Sequence, residues 1–143
     1  MNSTAAIYAR LTTASAITSA LDIWNGLPAI FDDRAPDEYL AKQDKACIVI
    51  AFPTGDEPSE TFTEASRVIS RDLRVYALDT GDNAPVDNLA EAVRDLFHDR
   101  PADLIVAGAK TVICQASGPT ASPTTDPSLV GRRISLRLEL ERI

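Results

Sequence analysis

Arg133-Ile134-Ser135-Leu136-Arg137-Leu138-Glu139-Leu140-Glu141 is the stretch that decides the fold class of this 143-residue chain. Aliphatic side chains occupy every second position, and charged or hydroxyl-bearing side chains occupy the positions between them. This two-residue period is that of a β-strand with one apolar face and one wet face. Such strands are typical of antiparallel sheets, which pack one face against a core and leave the other in water. The stretch therefore predicts an antiparallel sheet with one buried face.

Further strands are predicted upstream of this one. The β-branched run at residues 47–52 stops at Pro53 and indicates a buried strand. Another strand is expected at about residues 68–78, where the consecutive apolar residues Val68 and Ile69 break the alternation and indicate a bulge or a twist. Shorter strands are predicted at residues 29–31, 104–106 and 111–116, the last two being joined by a turn at 107–109.

The N-terminal segment predicts the first of two helices. Ser3 or Thr4 can cap this helix, and apolar residues recur at spacings of three and four as far as Leu21. Asn25 and Gly26 are a turn signal, and we expect them to end the helix.

The second helix is expected between Pro85, which suits the first turn of a helix, and Pro101, which closes it. The only histidine, His98, falls in its last turn, where it interacts favourably with the negative end of the helix. The apolar residues of this helix share one side: Val86, Leu89, Val93, Leu96 and Phe97. Together these elements predict an α+β fold, an antiparallel sheet of about four strands with two helices packed on one face.

The length of the chain predicts a single domain over residues 1–143. Segments rich in Pro, Ser and Thr indicate exposed loops at about 53–66 and 118–131. Cys47 and Cys114 are too few for a disulfide framework, and we expect both to be reduced and buried. The N-terminus lacks a basic leader, and no apolar run is long enough to span a bilayer, so we expect a soluble, cytosolic protein.

The residue types that catalysis and metal binding need are scarce. Two cysteines and one histidine cannot supply the ligands of a structural zinc site. Asp79 and Asp82 resemble half a calcium loop, but the register and the closing glutamate are missing. The six glycines do not form the cluster that cradles phosphate. We therefore expect no enzyme activity, no catalytic residues, no cofactor and no metal; the alternative is a hydrolase that uses scattered acidic residues.

The formal charge of −7 is unevenly distributed along the chain. Residues 32–64 carry −6 and residues 79–103 carry −5, whereas residues 65–78 and 104–143 each carry +2. This balance argues against a protein that coats nucleic acid, because such binding depends on clustered basic residues. Basic strands of one copy can instead meet acidic helices or loops of the next copy.

Two sets of charged residues are candidates for such contacts. The basic set lies on the two long predicted strands: Arg67, Arg71, Arg74, Arg133 and Arg137. The acidic set lies in the first loop and along one side of the second helix: Asp56, Glu57, Glu60, Glu64, Asp87, Glu91 and Asp95. For the basic set, the alternatives are a phosphate-binding face and solvated strands balanced by nearby acids; for the helical acids, the alternative is an ordinary solvated helix face.

The order of these segments carries a family resemblance. The pieces that carry it follow the opening helix: LPAIFD at residues 27–32, AP at 35–36, CIVI at 47–50, LRVY at 73–76, NLAEAVRDL at 88–96 and GRRISLRL at 131–138. Together they resemble the tail-completion proteins of long-tailed phages, the tail terminator family that includes the minor tail protein U type. The branch found in siphophages and in gene transfer agents of alphaproteobacteria is the most similar. The chain departs from the family at Tyr76, where Trp is frequent, and in the longer segment at residues 118–131.

The resemblance implies a structural role in a virion. About six copies would form a ring that caps the tail tube, joins it to the head connector or stopper protein, and lets DNA pass through without specific binding. The implied location is the tail–neck junction of a particle assembled in the bacterial cytoplasm, with no contact to a membrane. The acidic set would line the channel or a subunit interface. Alternatives are another neck protein of the same particle (a stopper or head-closure protein) and a small binding module unrelated to phage.

Overall fold

Two long antiparallel strands form the centre of the sheet in this computed structural model, which describes residues 2–58 and 66–143. They are β6 (Ser66–Leu78) and β8 (Leu129–Arg142), and they pair without interruption from Ser66 opposite Glu141 to Leu78 opposite Leu129. The preceding elements are α1 (Ser3–Thr12), α2 (Ser15–Thr18), β1 (Ile23–Trp24), β2 (Leu27–Pro28), β3 (Ile30–Asp32), α3 (Asp37–Leu40), β4 (Ala46–Ile50) and β5 (Gly55–Pro58). Between the two central strands lie α4 (Ala84–Phe97), a 3-10 turn (Pro101–Asp103) and β7 (Ala109–Ala121).

In the described part of the chain, the main sheet has six strands. Their order is β3-β4-β6-β8-β7, and β5 pairs with β6 next to the segment that pairs with β4. The pairs are antiparallel except β3 with β4, which is parallel. The α+β class is therefore confirmed, whereas the sheet has more strands than predicted and is not purely antiparallel. The short strand predicted at residues 29–31 corresponds to β3, whereas β5 is not predicted, because four residues are too few to display an alternating pattern.

The main core lies between one face of this sheet and the helices α1, α2 and α4. The predicted alternation of β8 is confirmed, because Ile134, Leu136, Leu138 and Leu140 are at most 2% exposed. Full burial of one aliphatic side chain stabilises a fold by about 1.5–3 kcal/mol, so each residue of this row contributes appreciably to the core. The helices contribute buried apolar residues that include Ile7, Leu11, Ile17, Val86, Leu89, Val93 and Phe97.

A second, smaller apolar cluster covers part of the opposite face of the sheet. Tyr39 of α3 is buried there, with its ring centroid 5.6 Å from that of Trp24 and 4.9 Å from that of Phe31. Cys47 and Val49 of β4 complete the cluster together with Ala29 and Ala35. The two predicted helices, which correspond to α1 and α4, do pack on one face, and α3 is an additional short helix on the opposite face. Every residue of β4 is buried, as expected for a strand that is covered on both sides.

The predicted first helix is interrupted. Thr12 and Thr13 donate hydroxyl hydrogen bonds to the carbonyl oxygens of Ala9 and Arg10, at 2.9 and 2.6 Å. Such local bonds compete with continuation of a helix, and α1 ends there. Asn25-Gly26 is the turn of the β1–β2 hairpin rather than the end of a helix, with φ of 52° and 81°, as a two-residue hairpin requires. No helix in the described ranges is long and apolar enough to cross a bilayer.

The C-terminal third differs most from the sequence prediction. Residues 104–106 do not form a strand, and β7 is longer than the predicted segment at 111–116. The exposed loop predicted at 118–131 therefore shrinks to residues 122–128. The irregularities predicted near Val68 lie instead in β7, where its pairing with β8 shifts between Thr111 and Ile113 and again between Ser117 and Thr120. The second shift contains Gly118, at φ 105°, where a Cβ atom would lie 2.7 Å from the carbonyl oxygen of Arg133.

Candidate functional site

The single histidine has a structural environment. His98 follows α4, and its Nδ1 accepts a hydrogen bond from the backbone N–H of Ala116 at 3.1 Å. Its Nε2 lies 3.4 Å from a carboxylate oxygen of Asp99. The backbone N–H of Asp99 donates to the carbonyl oxygen of Cys114 at 2.9 Å. Residues 98 and 99 thus cover the outer edge of β7, an edge that would otherwise be open to pairing with other chains.

Neither cysteine has the properties of a nucleophile. Both are buried and free of disulfide bonds. Burial raises the pKa of the Cys47 thiol to about 12 and that of the Cys114 thiol to about 11. The thiolate is the reactive form of cysteine, so both side chains stay protonated at neutral pH. Within the ranges 2–58 and 66–143, no group of three or more His, Cys, Asp or Glu residues could hold a metal ion.

The acidic loop can be placed only in part. Asp56 and Glu57 belong to β5, where they lie opposite Ile69 and Val68 of β6. Glu60 and Glu64 fall outside the described residues. The contribution of this loop to a channel or a subunit interface stays a prediction.

The three acids of α4 differ in their environments. Asp87 accepts a hydrogen bond from Nε of Arg132 in β8 at 2.6 Å, so this carboxylate joins the helix to the sheet. Glu91 and Asp95 are exposed, and Asp95 pairs with its neighbour Arg94, at 3.0 Å. Glu91 and Asp95 are therefore the two carboxylates of this set that α4 presents to solvent, one helical turn apart.

Arg71 does not belong to an exposed basic surface, contrary to the prediction. It is 3% exposed and lies on the helical side of β6, like Leu73. Its Nη1 donates to the hydroxyl oxygens of Ser3 and Thr4, both at 2.8 Å, while Nε and Nη2 donate to the carbonyl oxygen of Ala51 at 3.2 and 2.9 Å. Because β6 has no bulge, residue 71 faces the core and ties α1 to the end of β4.

Three of the five predicted arginines lie on the opposite, wet side of the sheet. Arg74 is directly opposite Arg133 on the neighbouring strand, and Arg137 follows on the same face of β8, opposite Ser70. Within the described residues, no carboxylate lies within 4.0 Å of these three guanidinium groups. We call Arg74, Arg133 and Arg137 the basic face. Arg67, the fifth residue of the predicted set, is half-buried on β6 opposite Leu140.

Like charges placed directly opposite each other on neighbouring strands destabilise a sheet. The Arg74–Arg133 pair is such a case. Asp72, on the same face, accepts a hydrogen bond from the Ser135 hydroxyl at 3.1 Å. A cleft of about 340 Å³ adjoins Arg74 and is lined by the apolar side chains of Leu40 and Val49 and by the carboxylates of Asp33, Asp37 and Asp126. The basic face is therefore a surface suited to an acidic partner.

Sequence reasoning missed two features. One is Asp22, which accepts hydrogen bonds from the Tyr39 hydroxyl at 2.7 Å and from the backbone of Asp44 and Lys45 at 3.1 and 3.0 Å. The other is a cleft of about 540 Å³ at the outer edge of β7, lined by Ile105 and Ile143, which are 82% and 86% exposed. No sequence signal marks Asp22, since its partners lie at least 17 residues away.

Comparisons with known proteins are informative only at the level of structure. No protein-family model matches this sequence, and no curated protein matches it. Thirteen chains of solved structures match its fold. One belongs to the structure described as "Virion of native gene transfer agent (GTA) particle", with a TM-score of 0.66 and 19% sequence identity. The similarity covers 96% of this chain and 92% of that chain. This protein therefore shares its fold, over nearly its whole length, with a chain of a gene transfer agent virion.

Proposed function

We propose that this protein is a structural component of the virion of a phage or gene transfer agent. The observation that carries the proposal is the fold likeness to a chain of such a virion, which extends over 96% of this chain and 92% of the other. A shared domain inside a larger, unrelated protein would leave much of one chain uncovered. The scarcity of catalytic groups and the protonated, buried thiols favour a structural role over an enzymatic one.

Within the virion, we propose the role of tail terminator. The order of segments that resembles this family supports the assignment. In this role about six copies form a closed ring on the end of the tail tube, and a second surface of the ring contacts the head connector or stopper protein. A head-to-tail ring needs two different, complementary surfaces on each subunit, and segregated charge supplies surfaces of this kind.

The proposed ring encloses a channel through which DNA passes. Negative charge on a channel wall keeps DNA from adhering to it. The acidic loop, with Asp56, Glu57, Glu60 and Glu64, is our candidate for this wall, because residues 53–66 contain no Lys or Arg to offset these four carboxylates. DNA is then a passing occupant and not a ligand.

Assembly of the full-length chain tests the ring. Multi-angle light scattering and negative-stain imaging should show a closed ring of about six subunits, either alone or after mixing with tail-tube protein from the same particle. A chain that stays monomeric at high concentration and in the presence of tube protein contradicts the proposal.

Deletion of the gene tests the position in the particle. We expect unattached heads and tails of irregular length, because nothing caps the growing tube. Unattached heads together with tails of normal length would indicate a stopper or head-closure protein instead. Normal infectious or transducing particles would exclude a role in the neck altogether.

A further inference from the structure

We propose that the ring contact is formed between the basic face of one copy and the outward surface of α4 on the next copy. The inference rests on the proposed ring and names the surfaces that build it. Glu91 of one subunit would pair with Arg133 of its neighbour, and Asp95 would pair with Arg74. The placement of the two surfaces, their spacing and their charge all support this contact.

The two surfaces lie on opposite sides of the same subunit. The apolar side of α4 packs on the face of the sheet that holds Ile134 and Leu136, and its acids Glu91 and Asp95 point outward. The basic face lies on the other side of the same sheet, because residues at odd and even positions of β8 alternate between the faces. A surface on each side allows head-to-tail stacking, in which both surfaces of every subunit are used once the ring closes.

The spacing of the charges matches. Residues directly opposite each other on antiparallel strands have Cβ atoms about 4.5–5.5 Å apart, which applies to Arg74 and Arg133. Residues four apart on a helix have Cβ atoms about 5–6 Å apart, which applies to Glu91 and Asp95. Two carboxylates one helical turn apart can therefore face two guanidinium groups on adjacent strands, one to one.

The distribution of charge explains why a second copy of the chain is favoured over DNA as the partner of the basic face. Arg74 and Arg133 are placed against each other, and no carboxylate of residues 2–58 and 66–143 lies within 4.0 Å of either guanidinium group, so an incoming acidic pair reduces a repulsion and adds ion pairs. The same face also carries Asp72, Glu139 and Glu141. A phosphate backbone laid along β8 would lie close to these carboxylates and be repelled by them. Two carboxylates on a helix can contact Arg74 and Arg133 without approaching the other acids.

Charge reversal tests the pairing. Arg133→Glu should weaken assembly of the full-length protein by at least about tenfold in the concentration at half-assembly, in line with close charge pairs at interfaces. Glu91→Arg should do the same. Arg142→Glu is the matched control, since Arg142 is also an exposed arginine of β8 without an ion pair in the described chain, and it should assemble like the unmodified protein.

Recovery of ring assembly when two variants are combined distinguishes a specific contact from misfolding of the subunits. Mixing the Arg133→Glu protein with the Glu91→Arg protein should restore rings, because each contact then joins residue 133 of one variant to residue 91 of the other with opposite charges. The double variant Arg133→Glu/Glu91→Arg should also assemble. Circular dichroism and thermal melts of each variant, with midpoints close to that of the unmodified protein, establish that the subunits are folded.

The outcomes separate this inference from the proposed function. Rings that form normally with Arg133→Glu or Glu91→Arg would overturn the pairing but not the proposed ring. Single variants that fail to assemble and are not restored by mixing would have the same meaning. An unmodified protein that never forms a ring would overturn the proposed function and the pairing together. Loss of duplex DNA binding in Arg133→Glu, with ring assembly unchanged, would assign the basic face to phosphate instead.

Discussion

Nε of Arg132 in β8 lies 2.6 Å from Oδ1 of Asp87 in α4, and this hydrogen-bonded ion pair joins the helix to the sheet at the end where the helix begins. The Arg132 side chain is 19% exposed and the Asp87 side chain 45% exposed. Arg132 also donates to the carbonyl oxygen of Gly131 at 2.9 Å. A residue that looks in the sequence like one of three equivalent surface acids is therefore a contact between two layers of the fold.

We expect Asp87→Asn to lower the free energy of unfolding by about 1 kcal/mol, because a hydrogen-bonded charge pair is lost and a half-buried guanidinium is left without its counter-ion. Asp95→Asn is the matched control on the same helix. Its pair with Arg94 is more exposed, so its effect should stay within about 0.5 kcal/mol. Urea denaturation followed by circular dichroism measures both, and equal effects would contradict the structural role of Asp87.

We expect replacement of Arg71 to lower the stability of the fold more than replacement of Asp87. Arg71→Ala should destabilise the fold by about 2–4 kcal/mol, since Ser3, Thr4 and the carbonyl oxygen of Ala51 lose a buried partner with four hydrogen bonds. The loss should be greatest at the N-terminus of α1. Hydrogen exchange of the amides of α1 should therefore accelerate more than that of α4. Exchange that rises uniformly, or not at all, would contradict a local clamp.

Alanine substitutions at Gly118 and Gly81 distinguish the stability cost of a steric clash from that of backbone strain. Both have positive φ, 105° and 84°, but a Cβ atom at Gly118 would lie 2.7 Å from the carbonyl oxygen of Arg133, whereas Gly81 has open space around it. Gly81→Ala should cost about 1 kcal/mol in stability from backbone strain alone. Gly118→Ala should cost clearly more, because β7 and β8 must move apart. Similar melting temperatures for the two variants would count against the close approach of these strands.

The buried thiols predict a dependence of stability on alkaline pH. Burial raises the pKa of Cys47 to about 12 and that of Cys114 to about 11, above the usual value of 9.0. Between pH 9 and 11 the unfolded chain releases thiol protons that the folded chain retains, so stability falls as pH rises. The expected slope approaches about 1.4 kcal/mol per pH unit for each thiol.

Urea denaturation at several pH values measures this slope, with Cys47→Ala as the comparison. The variant should be less stable near pH 7 but lose less stability above pH 9. Thiol reagents should also react slowly with the native protein at pH 8 and rapidly in urea. Rapid labelling of the native protein would show that the thiols are accessible.

The proposed ring contact predicts sensitivity to salt. The screening length falls from about 8 Å at 0.15 M to about 3 Å at 1 M ionic strength, so ion pairs at an exposed interface weaken. We expect light scattering to show rings dissociating toward smaller species as sodium chloride is raised. Rings that strengthen with salt would indicate an apolar contact, for which the exposed side chains of Ile105, Ile143 and Phe52 are candidates.

Several features of the fold follow from local sequence patterns. The alternation in β8 is sufficient to identify the strand and its buried side, and all four predicted residues are buried. The same holds for α4, whose apolar side includes Val86, Leu89, Val93 and Phe97. These patterns are local because a helix or strand repeats its geometry every few residues, so periodicity alone tells which side meets the core.

Other features depend on contacts between distant residues. The parallel pairing of β3 with β4 and the second cluster around Tyr39 arise from segments too short to show a period. The first helix ends early because two threonine hydroxyls bond to its carbonyl groups, an outcome that periodicity does not reveal. The bulges belong to β7 and not to β6, because their position depends on how one strand fits another.

The arginines show most clearly which features follow from the sequence and which depend on the tertiary structure. The sequence by itself determines that positive charge lies on the two long strands and negative charge on α4 and the first loop. Only the tertiary structure decides that Arg71 is internal, that Asp87 is paired with Arg132, and that Arg74 and Arg133 lie directly opposite each other. The reason is that a one-residue shift of register moves a side chain to the other face of a sheet. Charge content is a local property, whereas the face on which a charge lies is set by the pairing of strands far apart in the chain.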